Sequence, residues 1–427
     1  ILNDLEINTK FKYQLYYELA ETAQLIGKYE MMESCIAICL ENTKDLSEII
    51  KANKVRLISF ISRNLLKEAL ENGLELLDLL NVNIPHNPIN LHILYSLFIT
   101  QKKVKKLGKE NLVHLKKATD EFTIEKMEII NIMLFVSYYI RPNLTPVLVL
   151  KALRLSIEEG YGRHTVLFIL ALPNILCHHL DKVEAVMDYL PICLKLLAKI
   201  QDKAAQSMVY YYIKQFFIYI KYPLKDKMEY YETSIRLAQE SGAYLVCSLA
   251  ILNQYFTYFF LDEDLNSTKS KMQKYIPLVK QMNQVAQINL FFLVDSFYEV
   301  LTSPKKINES TSSFENSTNS NQYFKDSADR SALFSFYLIK TLFYILFRDR
   351  ENISLYTEEL HNDRDAMTAQ YYFRLANFFT SLAYLDVFQF SNKKKQRLYK
   401  KRIIQNQKRM LFYAKHSPEN FLNKWQL

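Results

Sequence analysis

The sequence predicts an all-α fold, and three observations carry that expectation. Only six Gly and ten Pro punctuate 427 residues, too few for the turns of a many-stranded sheet protein. Between them Leu, Ile, Lys, Glu and Tyr dominate, which favours long helices with short connections. Capping residues then mark helix starts and stops. A chain this long has room for two or three domains or one continuous superhelix, and the scarcity of turn residues favours the superhelix.

Near the N-terminus the helices come in similar pairs. "GKYEMMESCIAICL" (27–40) and "RNLLKEALENGLELL" (63–77) each follow a helix and start at a polar turn. Tyr29 matches Leu66, Met32 matches Ala69 and Ile36 matches Gly73, an offset of 37 residues. Small or apolar residues at these positions let one antiparallel helix lie close on the next. That is the packing logic of tetratricopeptide-like (TPR-like) repeats of roughly 34 residues, stacked as an α-solenoid.

Further along, "TPVLVLKALRLSIEEG" (145–160) places Thr145 at the N-cap, Pro146 in the first turn and Gly160 past the end. "LDKVEAVMDYLPICLKLLAKI" (180–200) reads as the second helix of a pair. "YPLKDKMEYYETSIRLAQESG" (222–242) is expected to be one helix opened by Pro223 and closed by Gly242, with 230–240 in a second-helix role. The tail "AKHSPENFLNKWQL" (414–427) starts another helix, with Ser417 as N-cap, Pro418 first and Glu419 in the dipole-favoured turn. Its apolar stripe of Phe421, Leu422 and Trp425 needs a surface to lie on.

"NESTSSFENSTNSNQY" (308–323) is poor in aliphatic residues and is expected to be a mobile loop. Its sequon-like triplets are read as accidental. The chain then divides into N-terminal TPR-like helix pairs (1–85), central helical repeats (86–306), the Asn/Ser loop (307–325) and C-terminal helical repeats ending in a truncated connecting helix (326–427).

Five scattered cysteines, Cys35, Cys39, Cys177, Cys193 and Cys247, argue against a disulfide framework and for a reducing, cytoplasmic setting. Two aromatic-rich runs, 244–261 and 331–347, approach membrane-span length. Asn253, Gln254 and Lys340 interrupt them, so burial inside a helical body is the preferred reading. The net charge of +9 is matched by "KKKQRLYKKRIIQNQKR" (393–409), which holds nine basic side chains and no acid. A nucleic-acid or acidic-lipid contact is the sharp reading of that run. A solvated helix start or connection is preferred, because aromatics for base stacking are nearly absent.

Phosphate loops of the GxxxxGK[ST] or GxGxxG type, a GxSxG elbow, HExxH and CxxC are all missing. Cys35 and Cys39, at i and i+4, share a helix face, but no third ligand lies nearby and packing is preferred. In "CHH" (177–179), His178 and His179 point to different faces and suit a helix end. Neither Glu158–Glu159 nor Glu358–Glu359 is marked as a general acid/base pair. Tyr-rich stretches such as "YYYIKQFFIYIKY" (210–222) read as core filler. Catalytic, cofactor-binding and metal residues are therefore expected to be none.

Several stretches, taken together and in order, resemble one family. They are 20–85, "RPNLTPVLVLKALRLSIEEGYG" (141–162), 180–200, 222–260 and "NQKRMLFYAKHSPENFLNKW" (406–425). They resemble the long helical region of large, mainly bacterial, multidomain signalling kinases. In that family a serine/threonine kinase-like domain and a predicted AAA-type (STAND-like) ATPase precede the helices. A GAF sensor and a histidine kinase commonly follow. The chain departs from the family where His179-Leu180-Asp181 replaces a small Gly-Asp turn, and in its long Asn/Ser loop.

The resemblance implies a non-catalytic regulatory and scaffolding region in the cytoplasm. Its partners would be flanking domains of the same polypeptide or a signalling protein, with no nucleic acid, no membrane span and no cofactor. The chain is then expected to be a piece cut where a connecting helix departs, with Phe421, Leu422 and Trp425 packed on preceding helices or left partly exposed. Alternatives are the repeat sensor of a STAND-type ATPase transcriptional regulator and a free-standing TPR-like adaptor. A third is an enzyme whose site of convergent Tyr, His and Glu escapes motif reading.

Overall fold

In the computed structural model, residues 9–180, 182–261, 263–303, 318–326, 329–362 and 370–427 are described. Among them the chain is all-α, and the one β-type contact is an isolated parallel bridge between Lys117 and Tyr161. Two compact units are present: Ile1–Lys109 with Leu115–His164, and Glu110–His114 with Thr165–Leu427. The expected division near residue 85 falls inside the first unit.

The first unit contains α1 (Thr9–Leu25), α2 (Tyr29–Glu41), α3 (Leu46–Ser62), α4 (Leu66–Leu79), α5 (Asn90–Leu107), α6 (Glu121–Ile140) and α7 (Leu144–Glu159). Helices α1 and α2 pack together, as do α3 and α4, α6 and α7, and α5 and α7. The 37-residue match has a structural counterpart. Helix α2 begins at Tyr29 and α4 at Leu66, and Met32, Ile36, Ala69 and Gly73 are all buried. Each pair turns on the same backbone device. Gly27 and Asn64 adopt left-handed φ values of 75° and 57°. After them, Lys28 N–H bonds Ala23 O and Leu65 N–H bonds Phe60 O, both at 2.8 Å, the Schellman closure. Asn81, Gly242 and Arg348 close three other helices in the same way.

The second unit begins with a 3₁₀ turn (Lys109–His114, from Glu110) and continues through α8 (Thr165–Leu180), α9 (Glu184–Leu197) and α10 (Lys203–Ile213). A π-helical segment (Lys214–Ile218) links α10 to the short α11 (Tyr219–Lys221). Then come α12 (Glu229–Ser241), α13 (Tyr244–Tyr258), α14 (Leu265–Gln273), α15 (Ile276–Gln281) and α16 (Val285–Thr302). The remainder is α17 (Thr318–Asp326), α18 (Arg330–Phe347), α19 (Arg350–Asn362), α20 (Tyr371–Phe388), α21 (Lys393–His416) and α22 (Pro418–Gln426). Neighbours in sequence pack as pairs, including α8 with α9, α10 with α12, and α18 with α19. Aspartates at positions 202, 264 and 329 cap their helices by accepting the N–H three residues on.

Several boundaries differ from expectation. Helix α7 starts at Leu144 with Asn143 as N-cap, and the Thr145 hydroxyl instead pairs with Ser137 Oγ at 2.9 Å. Helix α12 begins only at Glu229, because the Lys214 ammonium pins the carbonyls of Leu224 and Asp226 in a non-helical bend. Of the expected Asn/Ser loop, 307–317 lies outside the described residues, whereas Thr318–Asp326 is helical. The tail behaves as expected, with Phe421 buried, Trp425 half-buried and Leu422 exposed.

Helices α16 and α18 are long and apolar enough to cross a membrane, with half and 72% of their residues buried inside the protein. Helix α13, from the other aromatic run, is buried over nearly its whole length.

Candidate functional site

Helix α5 is apolar on two opposite sides. Ile93, Leu97, Thr100 and Val104 face the unit interior. That side is fixed from α7, where Arg154 Nη1 donates to Ser96 Oγ at 2.9 Å and to Thr100 Oγ1 at 2.7 Å. Leu91, Leu94, Tyr95 and Phe98, spaced i, i+3, i+4 and i+7, face out and are 47–68% exposed. A stripe with that spacing is what a helix presents to a partner surface. Exposed Lys102, Lys105 and Lys106 continue the outer side toward the helix end. Single exposed apolar residues are ordinary, whereas these four form a contiguous row on a helix held from its other side.

The second unit holds its polar groups inside. Around the π segment, Gln215 Nε2 donates to Asn253 Oδ1 at 3.1 Å and to Gln370 Oε1 at 2.8 Å, while its Oε1 accepts from Tyr231. Thr257 Oγ1 pairs with Tyr372 OH at 2.9 Å, and Tyr372 donates to the Asn253 carbonyl at 2.9 Å. Burial drives the phenols of Tyr231 and Tyr372 far above the ordinary tyrosine range. Burial likewise lowers Lys214 to about 8, and its ammonium serves the two carbonyls of the bend. These groups bond one another inside the unit. Their role is to fix helix positions.

Arg374 lies deeper, 3% exposed, with its guanidinium carbon 4.7 Å from the ring centres of both Tyr219 and Tyr413. Burial opposes its charge, but Tyr219, Tyr413 and Cys177 more than offset that, and the arginine stays cationic.

The tail motif docks beside this cation. Ser417 Oγ donates to Tyr219 O at 2.9 Å. Asn420 Nδ2 donates to Tyr219 O and Tyr222 O at 2.8 Å, and its Oδ1 accepts the Leu224 N–H at 2.7 Å. Phe421 sits 5.5 Å from the Tyr371 ring and 5.6 Å from Tyr413. Ser417, Asn420 and Phe421 thus close the end of α11, which Pro223 keeps from continuing as a helix.

The described residues weighed from sequence fall in several separate settings. Cys35 and Cys39 belong to the apolar core of α1–α3, and burial raises both thiols, Cys39 to about 11. Cys193 and Cys247 are raised by burial too, and Cys177 lies beside Arg374. Glu158 pairs with Lys103, Glu159 accepts from Thr123, and Glu358 takes both oxygens to Arg402 at 2.7 Å. The side chains of His178 and His179 lie outside the described residues. Among the described residues no group of three or more His, Cys, Asp or Glu is placed to hold a metal. A small cleft among Phe334, Phe373, Asn377, Thr380 and Asn406 has room for about one water molecule.

Sequence reasoning missed the outer row of α5 and the Arg374 clamp. "LHILYSLF" (91–98) carried a signal for the first, since its apolar residues cover more than one helix face. Nothing in the local pattern marks Arg374. Compared with protein-family models and with curated proteins, the chain matches none.

Proposed function

We propose that this chain is a non-catalytic regulatory and scaffolding region, with TPR-like helix pairs, of a multidomain signalling kinase carrying a predicted ATPase. Its work is to make contacts, within the polypeptide or with a signalling protein. The observation that carries this reading is the outward row of Leu91, Leu94, Tyr95 and Phe98 on a helix whose other side is locked by Arg154. A partner surface fitting it is apolar where it meets the row and acidic where it meets Lys102, Lys105 and Lys106. Contact there biases the arrangement of neighbouring domains if the partner binds one arrangement better than another.

The test is Leu91→Asp with Phe98→Asp in the full polypeptide. Kinase activity is measured with and without stimulus, and helicity by circular dichroism. The reading predicts intact helicity with loss of stimulus dependence. Unchanged regulation in the folded variant would sink it.

A further inference from the structure

We infer that the outer face of α21 is a binding surface for an anionic lipid bilayer. The nine basic residues of 393–409 equal the whole net charge of the chain, so the remainder is neutral and the excess sits on this one helix. The helix is anchored by its inner side. Tyr399 and Met410 are buried, Asn406 donates to Thr380 and Ser381, and Arg402 is taken up by Glu358 and Tyr384.

The other cations point away from that side. Lys394, Lys401 and Lys408 repeat every seven residues along the exposed side, Arg397 lies between the first two, and Lys393 and Lys400 flank them. By helix geometry the row from Lys394 to Lys408 is about 21 Å long. Lys393, Lys394 and Lys395 also occupy the first turn, where the positive end of the helix dipole disfavours cations. An external anionic surface relieves both repulsions.

Two features choose a bilayer over other polyanions. Leu398 and Ile404 are 41% and 47% exposed on the same side, and Phe390, just before the helix, is 61% exposed. Aliphatic groups interleaved with cations suit the boundary of headgroups and acyl chains. Single-stranded nucleic acid calls for aromatic platforms along the groove, and the outward positions of 393–409 carry none.

The test is co-sedimentation of the full chain with vesicles of phosphatidylcholine alone and of three parts phosphatidylcholine to one of phosphatidylserine. Binding is expected only to the anionic vesicles and to weaken with added salt. Lys394→Gln/Lys401→Gln/Lys408→Gln should lower partitioning by on the order of 100-fold with helicity unchanged. Equal partitioning onto both vesicles, or none onto either, overturns the inference, and so does tighter binding to a single-stranded oligonucleotide than to the anionic vesicles. The wild-type comparison of the two vesicles decides even if the triple variant misfolds.

Discussion

Asn420 accepts the Leu224 amide at 2.7 Å, joining the last helix to a bend almost two hundred residues earlier. The same carboxamide donates to the carbonyls of Tyr219 and Tyr222, so one side chain satisfies three backbone groups. Asn420→Ala strands the Leu224 amide and the Tyr222 carbonyl, while Tyr219 O keeps its bond from Ser417, and is expected to cost about 3 kcal/mol in urea unfolding. Asn420→Asp should cost at least as much, because a carboxylate keeps the Leu224 bond but faces two carbonyl oxygens. A loss within about 0.5 kcal/mol for either variant would remove this clamp from the account.

Arg374 should resist conservative replacement. Its planar cation stacks between Tyr219 and Tyr413, a geometry that a lysine ammonium does not reproduce. Arg374→Lys is expected to lower stability by about 2 kcal/mol. Thermal unfolding indistinguishable from wild type would show that the stack contributes little.

Glu128 makes the first unit acid-sensitive. Burial by itself would raise this carboxyl, but hydrogen bonds from His164 and Arg163 outweigh it and hold the value at about 2. A carboxyl lowered by folding contributes stability that is present above its unfolded value, near 4.5, and is lost as pH falls toward 2. Glu128→Gln should therefore lose on the order of 3 kcal/mol at neutral pH and converge on wild type near pH 2. An equal difference at both pH values would contradict this origin.

Gly160 has a φ of 115°, and an added Cβ would lie 2.8 Å from the backbone N of Ala118 and O of Lys116. Those atoms form the Lys117–Tyr161 bridge and have no side-chain freedom to move. Gly160→Ala should destabilise by about 3 kcal/mol or more, whereas Gly242→Ala, with open space at its Cβ, should cost about 1 kcal/mol. Chemical denaturation of the two variants side by side checks the ranking.

The all-α character was legible because helix periodicity and caps are local. Gly242 ends its helix and Ser417–Pro418 opens one as the sequence implies. The 37-residue match falls on the starts of α2 and α4, and its matched positions Met32, Ile36, Ala69 and Gly73 are buried. The start of α12 was misplaced because the Lys214 ammonium acts across a bend that no propensity describes. Gln215 meets Gln370 from 155 residues away, and such contacts leave no mark in a window of sequence. The α5 row was overlooked for another reason. Periodicity shows that a face is apolar, and only packing shows whether anything covers it.

The row of Leu91, Leu94, Tyr95 and Phe98 is proposed above as a contact surface within a signalling polypeptide. A photo-crosslinking phenylalanine analogue at Phe98 of the purified full polypeptide tests it most directly. A crosslink is expected to residues outside 1–427 of that polypeptide, or to its signalling partner when that protein is added. Efficient photolysis with no crosslink in either condition would contradict it.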